Sequence, residues 1–422
     1  MSGWQKTKIG EFLFERKGLI DPNEKDLFLL RKIDKIDFAE GKIFLTQYLP
    51  TKTKQIIVKQ DDLVFSGLNI EKGAIAINDF NQDLVVSANY STCEINYSKI
   101  NRDFLKIFIK SPSFKKLLTD NLKKDYGFTR PKHLLNLEIN LPPLEQQKQI
   151  AKKLKLAEEK QKILAQEINK QKTYLKNLRK QILQDAIAGN LTKDWREANP
   201  TTESASELLK KIKQEKEKLI AEKKIKKEKP LPVINENEIL FISKNILWIR
   251  IDDLFIVEKG ITGIKNAIPG KYPLVVTADE RLTHNDFQFD SEAIIIPMVS
   301  SSGHGHASLK RIHYQVDKFA LGSILSALIP IDKNLILSKF YYYFLFQYKE
   351  ELIVSKMSGA ANVSLNVSDL RSIVVPVLPF VAQKKLTNIL TKIDQAEKQI
   401  EKSLEYCKQL SACLLAEAFC KS

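Results

Sequence analysis

The chain has 422 residues and a net charge of +16, with an isoelectric point of about 9.3. This charge predicts an anionic partner, although an inert lysine-rich surface is the alternative. The sequence has neither a signal-type N-terminus nor an apolar run long enough to cross a membrane, so we expect a soluble, cytoplasmic protein. Its four cysteines form no CxxC pair, which argues against a zinc site or a disulfide framework.

The segment 1–141 is predicted to form a mixed α/β domain. Apolar residues at helical spacing occupy 103–124, and a polar turn at 126–133 carries Arg130 and Lys132 among aromatic side chains. This turn is suited to reading a DNA groove, but an ordinary charged surface turn is the alternative. Short β-rich runs occur at 55–65, 73–77, 84–88 and 92–95.

Residues 142–199 are predicted to form a central spacer built on one long helix. Pro142 and Pro143 precede the helix, and Gly189 and Asn190 are natural stop signals. Between them, apolar residues recur at alternating steps of four and three, which is typical of a coiled coil that needs a partner helix. The predicted seam comprises Ile150, Leu154, Leu164, Ile168, Leu175, Leu178 and Ile182.

A charged linker is predicted at 200–237, either as an exposed amphipathic helix or as a semi-ordered segment. A nucleic-acid-binding arm is a further possibility, but interspersed glutamates dilute its positive charge. A second globular domain follows at 238–376, with a polar loop at 300–308 and a helix at 339–355. His304 and His306 in the loop have no carboxylate or cysteine at ligand spacing. We therefore expect DNA contacts or a mobile loop there, and no metal.

The chain contains two copies of one unit. Gln147 of the first long helix corresponds to Gln383 of a second helix at 377–422, the flanking residues match at the same offset, and Trp4 resembles Trp248. Such repeats indicate duplicated architecture. The seam of the second helix comprises Leu386, Ile393, Ile400, Cys407 and Leu414. The predicted fold class is α+β, with two mixed α/β domains separated by two long helices that pack as an antiparallel intramolecular coiled coil.

Motifs for catalysis and cofactor binding are absent from the sequence. The segment 263–271 differs from a phosphate loop, because six residues separate its glycines and Tyr272 replaces Ser or Thr. No GxGxxG, HExxH or GxSxG motif occurs, and no carboxylate–lysine cluster of nuclease type is recognisable. A basic, duplicated coiled-coil chain of this kind is predicted to be a reader or a scaffold.

Five segments of the sequence are characteristic of one known family. They are FSGLNIEKGAIAI at 65–77, LPPLEQQKQI at 141–150, ILQDAIAGNLTKDWREANP at 182–200, ELLKKIKQEKEKL at 207–219 and LPFVAQKKL at 378–386. Through these segments the sequence resembles the specificity (S) subunits of type I restriction–modification systems across essentially its whole length, in the order domain, helix, linker, domain, helix. It departs from the family pattern at Val381 and Ala382, which replace Glu145 and Gln146 of the first copy.

This resemblance implies two target-recognition domains, at 1–141 and 238–376, each reading half of a bipartite, asymmetric double-stranded DNA target with an unspecified gap. It also implies two methyltransferase (M) subunits held on the helices, and restriction (R) subunits added to that complex. The chain would be non-catalytic and without cofactors, because S-adenosylmethionine, ATP and magnesium would belong to the partner subunits. The competing class is a coiled-coil tethering protein with protein-binding end domains, and a nuclease with an unrecognised site is a third.

Candidate DNA contacts are polar or basic side chains in predicted loops. In the first domain they are Lys72, Asn89, Tyr90, Arg130 and Lys132. In the second domain they are His304, His306, Lys310 and Arg311.

Overall fold

The computed structural model describes residues 3–49, 51–122, 127–198, 203–241, 246–302, 305–360 and 362–419. The chain divides into two compact units, the first made of residues 1–169 and 401–422 and the second of residues 170–400. Each unit contains one sheet-rich domain together with parts of two long helices, and each is described by itself below. No described helix is both long enough and apolar enough to cross a membrane.

The described part of the first domain has two four-stranded sheets and a two-stranded sheet. Its strands are β1 (Gln5–Lys8), β2 (Leu13–Glu15), β3 (Arg31–Ile36), β4 (Ile43–Gln47), β5 (Gln55–Val58), β6 (Leu63–Ser66), β7 (Ile75–Ile77), β8 (Leu84–Ser87), β9 (Tyr90–Ile95) and β10 (Glu138–Leu141). One sheet has the order β2-β9-β6-β7 and the other β4-β3-β8-β5. β1 pairs antiparallel with β10, which brings the two ends of the domain together.

Three short helices accompany these sheets: α1 (Arg102–Phe108), α2 (Pro112–Asn121) and α3 (Pro131–Leu135). The single helix predicted at 103–124 is divided, because Pro112 favours the first turn of a new helix and is excluded from a helix interior. The Ser111 side chain caps α2 by accepting a hydrogen bond from the backbone N–H of Phe114. Phe65 of β6 and Phe104 of α1 are at most 1% exposed, and each such burial stabilises the domain by about 1.5–3 kcal/mol.

The long helix α4 (Leu144–Ile187) has 44 residues and is about 66 Å long at 1.5 Å per residue. It ends before Gly189, whose φ of +81° is the left-handed conformation that commonly terminates a helix. The linker then forms α5 (Lys193–Ala198) and α6 (Ala205–Ala221). Leu208 and Ile212 of α6 are buried in the core of the second unit. The linker helix is therefore packed on its apolar side, not fully exposed.

The second domain repeats the topology of the first. Its strands are β11 (Leu247–Arg250), β12 (Phe255–Lys259), β13 (Tyr272–Val275), β14 (Leu282–His284), β15 (Phe289–Asp290), β16 (Ala293–Pro297), β17 (His313–Gln315), β18 (Lys318–Leu321), β19 (Leu325–Pro330) and β20 (Val374–Val377). The sheet orders are β12-β19-β16-β17 and β14-β13-β18-β15, and β11 pairs with β20 as β1 pairs with β10.

The helices that follow these strands are α7 (Ser338–Gln347), α8 (Lys349–Leu352), α9 (Val367–Arg371) and α10 (Phe380–Phe419). The helix predicted at 339–355 is divided at Tyr348, whose side chain is buried. α10 has 40 residues and is the second long helix. These elements confirm the predicted α+β class with two mixed domains and two long helices.

The two long helices run antiparallel within each unit. In the first unit, Ala151 near the start of α4 shares a core with Leu415 and Phe419 near the end of α10. In the second unit, Arg179 near the end of α4 places its NH2 nitrogen 2.7 Å from Oε2 of Glu397 in the first half of α10. The predicted antiparallel pairing is therefore confirmed within each unit.

The predicted α4 seam consists of two rows of residues, each with a seven-residue repeat. The row that contains Ile168 faces inward, whereas the row that contains Leu164 is displaced from the helix contact. Leu164 and Leu178 are 43% and 47% exposed, so their prediction as seam residues is wrong, while Ala165 and Arg179 occupy the more buried positions one residue later. The displacement arises because a straight helix drifts about 20° per heptad from a strict seven-residue repeat. The inward row contains buried Ile168 and the half-buried Leu154, Leu175 and Ile182, with Ile150 half-buried beside it.

The α10 seam becomes more exposed along the helix. Leu386 and Ile393 are buried, Ile400 and Cys407 are half-buried, and Leu414 is 37% exposed. Leu414 still lines a pocket with residues of α4, so it faces the partner helix at a loosely packed end.

Candidate nucleic-acid interface

Three loops of the first domain are joined by backbone hydrogen bonds. The amide of Gly67 donates to the carbonyl of Asn89 at 3.0 Å, and the amide of Thr129 donates to the carbonyl of Gly67 at 2.8 Å. A Cβ at Gly67 would overlap the ring of Phe128, so the ring packs directly on the glycine backbone and would have to shift for a larger residue. We call residues 66–73, 88–90 and 127–132 the first loop cluster.

The first loop cluster contains every candidate DNA contact of the first domain. Arg130 precedes α3 and Lys132 lies in its first turn, and both are exposed. Asn89 is exposed beside the Gly67 hydrogen bonds, and Lys72 is exposed at the far end of the same loop. Tyr90 is half-buried, and this burial raises the pKa of its phenol, which keeps the hydroxyl protonated as a hydrogen-bond donor.

The second domain has the same arrangement with different side chains. The amide of Met298 donates to the carbonyl of Ile324, and the amide of Leu365 donates to the carbonyl of Met298, both at 2.9 Å. Asn366 caps α9 in the second domain. Arg130 occupies the corresponding position in the first domain, directly before α3. We call residues 298–302, 305–311, 322–325, 357–360 and 362–366 the second loop cluster.

Asn366 was not among the candidates predicted from sequence. The number of residues between Arg130 and Asn366 equals the number between Gln147 and Gln383, the matching glutamines of the two long helices. Extending the repeat from the helices into the loops would therefore have found it.

The candidates of the polar loop are only partly visible, because His304 lies outside the described residues. His306 is exposed, and its carbonyl accepts hydrogen bonds from Ser300 Oγ at 2.6 Å and from Ser302 Oγ at 3.0 Å. Ser300 Oγ also accepts from the backbone amide of Ser308 at 3.1 Å. The described part of this loop is thus tied together by hydroxyl hydrogen bonds.

Lys310 and Arg311 are both exposed in the second loop cluster. The amide of Lys310 donates to Ser301 Oγ at 3.0 Å, which fixes the backbone at this point. The Nε of Arg311 lies 3.6 Å from Oδ1 of Asp279, a long ion pair between exposed side chains. Such a pair contributes little to stability, and its guanidinium can exchange partners readily.

A second guanidinium that the sequence did not single out lies near Arg311. Arg281 donates from Nε to Gln315 Oε1 at 3.1 Å, and its NH1 lies 3.2 Å from Nδ1 of His313. Burial, reinforced by Arg281, lowers the pKa of His313 to about 4, so the imidazole is neutral at pH 7 and its Nδ1 can accept from Arg281. The guanidinium is therefore held in one orientation.

Among the described residues, no three His, Cys, Asp or Glu side chains assemble into a possible metal site. Both domains present exposed polar and basic side chains on loops, and backbone hydrogen bonds hold these loops in place. This arrangement suits contacts to base edges and phosphates.

The structure defines a class of protein: a duplicated, loop-presenting domain combined with antiparallel long helices. The family model for the type I restriction modification DNA specificity domain matches residues 1–172 and 243–406. This match covers more than half of the chain, and the chain belongs to that family. The predicted family resemblance is confirmed.

Individual relatives carry the same description. The chain is 31% identical over 172 residues to the type I restriction enzyme MjaVIII specificity subunit of Methanocaldococcus jannaschii, covering 38% of this chain and 39% of that protein. It is 43% identical over 79 residues to the EcoAI specificity subunit of Escherichia coli, covering 18% of this chain and 13% of that protein. The alignments therefore span well under half of these relatives.

Solved structures show the same fold over the whole chain. The HsdS subunit from Thermoanaerobacter tengcongensis matches with a TM-score of 0.52 at 17% identity, covering 99% of this chain and 97% of that one. A chain from a study of complex assembly and conformational transition of the type I R-M system matches with a TM-score of 0.56 at 17% identity, covering 99% and 98%. At this identity, the likeness concerns the fold alone.

Proposed function

We propose that this chain reads a bipartite, asymmetric double-stranded DNA target with an unspecified gap, using one loop cluster for each half-site. The main support is the backbone arrangement that both domains share around Gly67 and Met298. The shared scaffold presents unlike side chains, with Arg130 in the first cluster and Asn366 at the corresponding position of the second. Arginine pairs best with guanine and asparagine with adenine, so two unlike half-sites are expected.

The proposed assembly places two methyltransferase subunits on the long helices and adds restriction subunits to that complex. Support comes from apolar side chains in the first unit that lie away from the helix seam. Leu156 and Ile163 of α4 are 50% and 67% exposed, and Tyr406 and Leu410 of α10 are 68% and 61% exposed. Leu156 and Ile163, seven residues apart, share one face of α4, and Tyr406 and Leu410, four residues apart, share one face of α10. Apolar side chains grouped on one face are typical of protein-binding surfaces.

In this proposal, residues 1–141 and 238–376 are the target-recognition domains, 142–199 and 377–422 are the spacer helices, and 200–237 is the linker. The chain is a non-catalytic subunit. S-adenosylmethionine, ATP and magnesium belong to the partner subunits, and the reactions of the assembled complex are adenine methylation and site-specific DNA cleavage.

The proposal is tested by sequencing the methylated adenines of a host that carries this chain with its methyltransferase partner. We expect methylation within one asymmetric motif made of two short specific parts at a fixed spacing. Methylation that stays the same when the chain is deleted would contradict the proposal, and would leave a coiled-coil tethering protein as the better explanation.

Replacing Arg130 by alanine is expected to weaken binding to the specific target by about 1–3 kcal/mol and to relax one base position, if this side chain reads a base. Lys132→Ala is the matched control, because a phosphate contact should weaken all sequences alike and lower the salt slope by about one. Competition binding against single-base variants of the target measures both effects. Unchanged affinity and unchanged preference in the Arg130 variant would remove it from the reading surface.

A further inference from the structure

A cleft of about 500 Å³ separates the linker from the second domain, within the second unit. One wall is formed by the segment that follows α6, including Lys223, Lys224 and Lys226. The opposite wall is formed by β12, including Lys259, and by the start of α9. The cleft therefore has basic side chains on both walls.

The linker wall is fixed to the domain by a charge network. The Nζ of Lys216 lies 2.9 Å from Oδ2 of Asp252, and the Nε of Arg371 lies 2.7 Å from Oδ1 of the same carboxylate. Arg371 also reaches Oε2 of Glu228 in the linker at 2.9 Å through NH1. Burial favours the neutral acid, but hydrogen bonds from Arg371 and Lys216 hold the pKa of Asp252 below its usual value. The linker thus has a defined position beside β12.

Two of the interspersed glutamates of the linker, Glu215 and Glu222, are paired in the structure, whereas Glu217 is exposed and does not line the cleft. Glu215 pairs with Lys218 at 3.4 Å, and Glu222 pairs with Lys224 at 2.8 Å. Together with the Glu228–Arg371 pair, these contacts neutralise Glu215, Glu222 and Glu228 locally.

Three of the lysines that face the cleft have no such partner. Lys223, Lys226 and Lys259 are exposed and form no ion pair within the described part of the chain. Glu258 also lines the cleft, outside the pairs described above. The cleft therefore retains an excess of positive charge.

Lys223 has an unusual backbone conformation. Its φ of +58° is left-handed, at the position after α6 where glycine is the usual residue. Non-glycine residues with a left-handed backbone are uncommon, and they are concentrated at functional sites. Here it places a cation at the C-terminal end of α6, on the wall of the cleft.

The cleft adjoins the second loop cluster on its β12 and α9 wall. Val367 of that wall directly follows Asn366, the cap residue of the cluster. Lys259 is followed by Gly260, whose amide donates to the carbonyl of Leu325 in the cluster at 2.9 Å. A duplex held by the loop cluster would therefore have its backbone close to the cleft.

We propose that this cleft binds the phosphate backbone of the DNA duplex next to the second half-site, with Lys223, Lys226 and Lys259 as the phosphate-binding residues. The inference rests on the proposed duplex recognition and assigns the linker a direct part in it. Phosphate contacts position a protein on DNA without reading sequence. The linker lysines should therefore raise affinity for every sequence and leave base preference unchanged.

The test compares the full chain with the triple variant K223Q/K226Q/K259Q, using fluorescence anisotropy with a random-sequence duplex over a range of salt concentrations. Each lost phosphate contact lowers the slope of log affinity against log salt by about 0.9, so a decrease of about 2–3 is expected. The control K210Q/K213Q/K392Q removes three exposed lysines that do not line the cleft, and its slope should stay close to that of the unsubstituted chain.

A second variant separates binding from folding. Lys223→Gly removes the cation and also supplies the residue best suited to a left-handed backbone, so the chain should melt no earlier than the unsubstituted protein. Its slope should nevertheless fall by about one. An unchanged slope in both cleft variants would overturn the inference.

The remaining outcomes are equally decisive. If the triple variant keeps the salt slope while the unsubstituted chain selects a specific target, only this inference fails. If the chain binds duplex without sequence preference and the triple variant lowers the slope, only the proposed target reading fails. If the chain binds no duplex, or if the cleft prefers an acidic polyglutamate peptide of equal charge, the assignment of the cleft to DNA is overturned.

Discussion

Inserting seven residues into each long helix, after Asn169 in α4 and after Ile400 in α10, is expected to lengthen the gap of the preferred DNA target by about three base pairs. Both positions are the points where the helices pass from one unit to the other. One heptad adds about 10 Å of helix and rotates the seam by only about 20°. At about 3.4 Å per base pair, this extension corresponds to about three base pairs.

Binding selection from duplexes with variable gaps measures this change. An insertion in α4 alone is the control, because it puts the α4 seam out of step with α10 and should lower stability without defining a new optimum. If the doubly extended chain keeps the original gap, the helices are a platform for partners and do not set the spacing.

Gln147→Leu is expected to lower the free energy of unfolding of the first unit by about 2–5 kcal/mol, because it removes buried hydrogen bonds and leaves their partners unsatisfied. Gln147 is 1% exposed. Its Oε1 accepts from the amide of Asn101 at 2.7 Å, and its Nε2 donates to the carbonyls of Lys99 at 3.2 Å and Pro142 at 2.8 Å. The side chain therefore joins the start of α4 to the start of α1.

The second copy makes the same connection. Gln383 is 1% exposed, accepts from the amide of Leu337 at 3.0 Å and donates to the carbonyl of Leu378 at 2.8 Å. Gln383→Leu should accordingly destabilise the second unit, by somewhat less because it loses fewer hydrogen bonds. Gln166→Leu, at an exposed position of α4, is the control. Denaturant unfolding measures the free energy of unfolding of all three variants. If Gln166→Leu lowers it as much as the two buried substitutions do, the stabilising role of the buried glutamines is contradicted.

The glutamine pair also explains why so much of the architecture was predictable. The offset between Gln147 and Gln383 also relates Asn101 to Leu337, which each precede the first helix of their domain. A repeat with matched hydrogen bonds constrains both copies to one fold, so the domain order, the long helices and their antiparallel pairing followed from the sequence.

Other features depended on packing that a single sequence does not report. Leu164 and Leu178 fit the heptad pattern but lie largely exposed, because helix drift moves Arg179 inward. There the guanidinium is neutralised by Glu397 and lies 5.5 Å from the centre of the Phe346 ring. A charged residue at a buried position becomes interpretable only when its partners, distant in sequence, are placed beside it.

The loop residues also divide into those that the sequence could reveal and those that it could not. Arg130 and Lys132 were recognisable as basic residues in a polar turn, and Asn366 could have been found by extending the repeat. Arg281 carried no sequence signal, because its fixed orientation depends on Gln315 and on the neutral imidazole of His313. Side chains oriented by long-range contacts cannot be distinguished from ordinary surface charge without the fold.

Each domain is proposed to read its own half of one target. Selection from a fully randomised duplex library with the purified full chain tests it most directly, when repeated with Arg130→Ala and with Asn366→Ser, which keeps an oxygen able to cap α9. We expect two unlike motifs about 10 base pairs apart, centre to centre, with each substitution relaxing a different motif. A single motif, or the loss of preference in both motifs from one substitution, would contradict the claim.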